Sequence, residues 1–198
     1  MSLEKSRRFA FLLIDMQARF QPLCSKKMLE ELTRTMEACA LRQVPIFASR
    51  HGHRSREDMG VLGEFYNYDV SIVGDDSWQL IPHVKEALER LGKDAVTMVD
   101  DKTTYDAFHG TQLDRWLREK QVDTVVVSGV MTNLCCETTA RTAFVHNYRV
   151  AFLSDGTATS DDRHHKATLD NIRFGFGRVM SCAEFRDWLE ARGQAPML

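Results

Sequence analysis

The pattern of this chain predicts one α/β domain: a doubly wound, mostly parallel six-stranded sheet flanked by helices. Three observations carry that reading. Short runs rich in Val, Ile and Phe alternate with amphipathic segments of helical period. The most strand-like run, DTVVVSGV at 123–130, is apolar throughout, as a strand buried on both faces requires. No linker, repeat or low-complexity stretch divides the 198 residues, enough for one sizeable core, so the domain spans 1–198.

The elements follow in order. RFAFLLID (8–15) is a first strand, an apolar run that Asp15 ends. MLEELTRTMEACALR (28–42) places Leu29, Leu32, Met36 and Ala40 at helical intervals, and VPIFASR (44–50) is a second strand. A polar loop over 50–77 carries Gly52, Gly60, Gly63 and Gly74. VKEALERLG (84–92) is a helix with Pro82 near its start and Gly92 just past its end. AVTMVD (95–100) is the third strand, TQLDRWLREK (111–120) a helix and 123–130 the fourth strand. Residues 133–147 are helical, YRVAFLSD (148–155) is the fifth strand, 163–173 a helix and GRVMS (177–181) the sixth strand. Ser181 and Glu184 then form a capping box ahead of a last helix, 183–192.

Composition excludes several classes. The net charge of −2 offers no basic field for nucleic acid or an anionic membrane. The apolar run after the basic start is shorter than a signal-peptide core, and no stretch is long enough to cross a bilayer. Met1–Leu3 reads as a vector remnant. The 5 cysteines are an odd count with no C-x-x-C, so neither a zinc site nor a thioredoxin-type motif is expected. Reduced thiols and a cytoplasmic location follow as the simplest reading. Cys24, Cys39 and Cys182 are expected to be small packing residues.

In a doubly wound sheet, ligands bind beyond the carboxyl ends of the strands. Those ends carry Asp15, then Arg50 and His51, then Asp100, Asp101 and Lys102, then the segment 129–135, then Asp155. One edge therefore gathers a carboxylate, a lysine and a thiol. The residues after the first strand are DMQARF, not a G-x-G-x-x-G, and there is no P-loop, so dinucleotide and nucleoside-triphosphate chemistry is excluded and no cofactor is expected.

The stretch GVMTNLCCETTAR (129–141) holds two adjacent cysteines. With Thr132 or Asn133 as cap, Cys135 falls in the first helical turn, where the dipole and free N–H groups favour a thiolate and can cradle an oxyanion. Cys136 lies about 100° further round. It joins Ala140, Ala143 and Phe144 in a core-facing stripe. Both thiols as core filler is the alternative at this point. Taken singly, Asp15 reads as a cap and Lys102 as a surface lysine. Together with Cys135 they make a coherent acid–base–nucleophile set.

Three blocks, FLLIDMQARF, KTTYDAFHGTQL and VVVSGVMTNLCCETTARTAF, resemble in order and spacing the isochorismatase-like cysteine hydrolases. That family includes nicotinamidases, N-carbamoyl-amine hydrolases and isochorismatases, and the likeness runs from about residue 8 to 155. The resemblance implies the isochorismatase-like hydrolase fold, a catalytic triad of Asp15, Lys102 and Cys135, and a homo-oligomer, dimer or tetramer. The Gly-Val-x-Thr-x-x pattern assigns the nucleophile to Cys135 and not Cys136. It also implies a cis peptide before Met131 and an oxyanion hole from the backbone N–H groups of Met131 and Cys135. The expected reaction is hydrolysis of a C–N bond in a small amide or ureide through a thioester. A vinyl-ether hydrolase of the isochorismatase type is one alternative, and a non-catalytic binding or assembly subunit of the same fold another.

Nicotinamidases of this family hold a divalent metal with an Asp-x-His pair and a further histidine after the second strand. Here that place reads ASRHGHRSRED, with His51 and His53 where Asp-x-His would stand and no third ligand at family spacing. No metal is expected, and both histidines read as polar loop surface, as do His109, His146, His164 and His165. Phe20, Trp78, Tyr105 and Phe108 are candidate walls for a small-molecule substrate, with ordinary core as the alternative. Arg50 suits either a substrate carboxylate or a structural ion pair.

Overall fold

The computed structural model describes residues 8–192; Met1–Leu3 lies outside the described residues. Strand β1 (Phe9–Ile14) is buried at every position, as its unbroken apolar run requires. A 3₁₀ turn over Ala18–Leu23 follows it. Helix α1 (Lys26–Leu41) begins at Ser25, whose side chain accepts the N–H of Met28. Strand β2 (Ile46–His51) returns beside β1. The stretch read as an unstructured loop contains a short helix, α2 (Gly60–Phe65), between two 3₁₀ turns. Its six residues are too few to display a helical period, so the sequence pattern did not reveal it.

Helix α3 (Pro82–Leu91) has proline at its first position, where the missing N–H costs nothing. Strand β3 (Val96–Lys102), helix α4 (Leu113–Glu119) and strand β4 (Thr124–Val130) come next, β4 buried throughout. A wide turn over Thr132–Cys136, closed by the Cys136 N–H donating to the Met131 carbonyl at 3.1 Å, leads into helix α5 (Glu137–Val145). Strand β5 (Arg149–Ala158), helix α6 (Asp162–Gly175), strand β6 (Arg178–Met180) and helix α7 (Cys182–Arg192) complete the order. The capping box forms: the Ser181 N–H donates to Glu184 at 2.7 Å and the Glu184 N–H to the Ser181 hydroxyl at 3.1 Å.

The six strands lie in the order β3-β2-β1-β4-β5-β6, every pair parallel. One core, on one face, packs α1, α3 and α7 through Leu32, Met36, Val84, Leu88 and Phe185. The other packs α4, α5 and α6 through Leu113, Leu117, Cys136, Ala140 and Ile172. The order reverses between β1 and β4, and at that reversal the connections leave in opposite directions and open a crevice. Gly129 makes this junction possible. Its φ is +110°, and a Cβ there would overlap the Ile14 carbonyl of the neighbouring strand.

Two expectations are corrected. Strand β5 runs three residues past Asp155, and that carboxylate turns away from the crevice to accept the Cys182 N–H at 2.6 Å, serving the start of α7. Phe144 is 40 % exposed, so the buried stripe of α5 is Cys136, Ala140 and Ala143 without it. Among the described residues no helix is long and apolar enough to cross a membrane.

Candidate active site

Three of the predicted residues meet at the crevice. Asp15 follows β1, Lys102 ends β3, and Cys135 sits in the wide turn after β4. The Lys102 ammonium donates to Asp15 Oδ2 at 2.6 Å, and both side chains are fully buried. Cys135 is close enough to both that each acts on its thiol. Strand β2 helps bring Lys102 in: its ladder with β3 shifts register between Ser49 and His51, leaving His51 opposite Lys102. The peptide between Val130 and Met131 is cis, as the resemblance implied.

The electrostatics describe a resting state. Burial opposes the charge on Lys102, but Asp15 and Cys135 outweigh it and hold its pKa above the usual lysine value. Burial pushes the Cys135 thiol up to about 12, against the pull of Lys102. Burial thus opposes the thiolate that a helix start would favour, and Lys102 works against that burial. A helix start stabilises a thiolate where water can share the charge; here Cys135 is only 6 % exposed.

Cys136 is wholly buried, its sulfur 3.8 Å from the Ser128 carbonyl on the sheet side. Cys39 and Cys182 are buried and Cys24 half-buried.

Sequence reasoning missed three residues that organise this site. Ser49, 2 % exposed at the end of β2, donates its hydroxyl to Asp15 Oδ1 at 2.6 Å and accepts the Asp15 N–H at 3.2 Å. Gln17, fully buried, donates to the carbonyls of His51 at 2.9 Å and Trp78 at 3.0 Å, and accepts the His51 N–H at 2.8 Å. Tyr66, just beyond α2, meets the Tyr105 hydroxyl at 2.7 Å. Ser49 and Gln17 had a signal: each is a polar residue at the carboxyl end of a buried strand. Tyr66 had none.

The candidate wall residues separate. Tyr105 stands near the thiol, close enough for Cys135 to act on its hydroxyl. Trp78 is buried, with the Arg50 guanidinium 3.5 Å above its ring. Arg50 also holds Asp100 through two hydrogen bonds, of 2.7 and 2.5 Å, the ion pair that one of its two readings expected. Phe20 packs against the first core. Phe108 stacks on Tyr148, ring centroids 5.9 Å apart, within the second core.

His51 and His53 are not loop surface; they are 7 % and 2 % exposed. The strand and its bulge carry both inward, which the polar run around them concealed. Their rings meet edge to face at 5.2 Å, and His53 Nδ1 lies 3.2 Å from Asp58. Burial and the nearby Lys102 charge push His51 down to about 4, so it is a neutral imidazole. Among the described residues His51 Nε2, both ring nitrogens of His53 and the Trp78 Nε1 have no hydrogen-bond partner, the 3.2 Å approach of His53 to Asp58 being an ion contact only. As a metal site the set does not fit: among the described residues no three His, Cys, Asp or Glu side chains converge, and Asp58 already serves His53 and the Arg54 N–H.

Comparisons with known proteins bear on the family and the fold. A family model described as "Isochorismatase domain" matches residues 9–184. Nicotinamidase 3 of Arabidopsis thaliana is 41 % identical over 181 residues, covering 91 % of this chain and 88 % of that one. Ureidoacrylate amidohydrolase RutB of Methylobacterium radiotolerans is 37 % identical over 100 residues, 50 % of this chain and 39 % of that protein. A cysteine hydrolase from Pseudomonas syringae pv. phaseolicola 1448A superposes with a TM-score of 0.83 at 28 % identity, over 96 % of this chain and 99 % of that one.

Proposed function

The chain belongs to the isochorismatase family and is a hydrolase of that kind; from this premise we propose that it is a cysteine amidohydrolase, cleaving the C–N bond of a small carboxamide or ureide. The observation that carries the proposal is the buried contact of Asp15, Lys102 and the Cys135 thiol. A buried ion pair is costly to keep, and beside a thiol that cannot ionise unaided it supplies a base.

Asp15 takes the Cys135 proton as the sulfur attacks the carbonyl carbon, and Lys102 offsets the negative charge passing between them. The backbone N–H groups of Met131 and Cys135 receive the oxyanion. Asp15 returns the proton to the departing nitrogen, which leaves as ammonia or an amine. Water then attacks the thioester, Asp15 again taking a proton, and the acid leaves with the thiol restored. Tyr105, which Cys135 acts on, is the residue of the expected walls that would meet the substrate first. No step passes through a metal.

Two relatives are named for C–N substrates of this size, a nicotinamidase and a ureidoacrylate amidohydrolase. The test is ammonia release from a panel of nicotinamide, simple carboxamides and ureides. Turnover of at least one that disappears in Cys135→Ala supports the proposal. Turnover surviving in Cys135→Ala would sink the thioester route.

A further inference from the structure

The Ser49 hydroxyl has one proton and two neighbours, both on Asp15. One is the backbone N–H at 3.2 Å, which can only donate; the other is Oδ1 at 2.6 Å. The hydroxyl must therefore accept from the N–H and give its proton to Oδ1. This direction is fixed by atom type, not by a choice of rotamer. The same Asp15 N–H also approaches the Ser49 carbonyl, at 3.2 Å, so β2 grips this residue at backbone and side chain together. Asp15 needs the grip: its φ is +50°, a region an L-residue leaves readily. Oδ2, meanwhile, faces Lys102 at 2.6 Å.

Resting on the cysteine-hydrolase reading above, we propose that Ser49 is a positioning residue that makes the two oxygens of Asp15 unequal and directs the Cys135 proton to Oδ2. A proton arriving at Oδ1 would leave the Ser49 hydroxyl between two donors with its own hydrogen unpaired in a buried site, a costly arrangement. A proton arriving at Oδ2 leaves the Ser49 bond intact. In that step the S–H bond breaks and an O–H bond forms on Oδ2. The sulfur keeps the electron pair, and Lys102 remains beside both atoms as the charge moves to sulfur. Ser49 touches neither substrate nor sulfur in this scheme. Its donated hydrogen bond is made to the carboxylate, and removing the hydroxyl takes a stabilising partner from that form.

The test follows the rate of Cys135 alkylation by iodoacetamide against pH, with the adduct located by mass. Wild type should show an acid limb. In Ser49→Ala the limb should move upward by about half a pH unit or more. Ser49→Thr, which keeps the hydroxyl, should hold the wild-type limb. Ser49→Gly serves as a second hydroxyl-free variant if the alanine variant does not fold, with the same shift expected. A folded Ala or Gly variant whose limb coincides with wild type overturns the proposal, as does a Thr variant that shifts like Ala. Failure of the functional reading looks different: wild-type Cys135 would react no faster than an ordinary buried thiol and show no limb to move.

Discussion

Lys102 Nζ lies 2.6 Å from Asp15 Oδ2, and neither side chain is exposed at all. The pair joins the end of β3 to the end of β1 across β2, so it ties together strands that are not neighbours. Removing one partner leaves the other as an uncompensated buried charge. Lys102→Met should cost about 3–5 kcal/mol of folding stability. The double variant Asp15→Asn with Lys102→Met should regain most of it. Urea unfolding of the three proteins checks this, and a double variant no more stable than Lys102→Met alone would count against the pairing.

The adjacent cysteines should behave oppositely. Cys135→Ala removes the sulfur at the crevice and should abolish turnover while changing stability little. Cys136→Ala deletes a sulfur packed on β4 and should leave turnover largely intact at a cost of about 1 kcal/mol. Steady-state assays and thermal melts on the pair decide it. A dead Cys136→Ala with a live Cys135→Ala would reverse the assignment.

Acid should weaken the fold through His51. Its folded value of about 4 lies below the ordinary value near 6.5, so the unfolded chain takes up the proton first as pH falls. The stability is intact above about pH 6.5 and drains away towards pH 4, by about 2 kcal/mol at pH 5. His51→Asn should lose less than wild type between about pH 7 and pH 5. Equal losses in urea titrations at the two pH values would remove His51 as the cause.

The parts legible in the sequence share one property: each was specified locally. The apolar strands, Pro82 at a helix start and the Ser181–Glu184 box are read from a few adjacent residues. The meeting of Asp15 and Lys102 near Cys135 was legible because strand ends define an edge. What escaped was specified by register. Ser49 looks unremarkable until β2 pairs with β1 and sets it against Asp15. The burial of His51 depends on a bulge against β3, which no local pattern announces. The protonation of Cys135 depended on how completely neighbouring layers enclose it, a property of the whole fold.

The strand order also determines when this chemistry can exist. Lys102, Ser49, Asp15 and Cys135 come from β3, β2, β1 and β4, four consecutive places across the sheet. No hairpin or single βαβ unit of the chain contains the whole set. A nascent or partly unfolded molecule therefore has Cys135 without the Asp15–Lys102 pair beside it, and the buried arrangement exists only when the central sheet is complete.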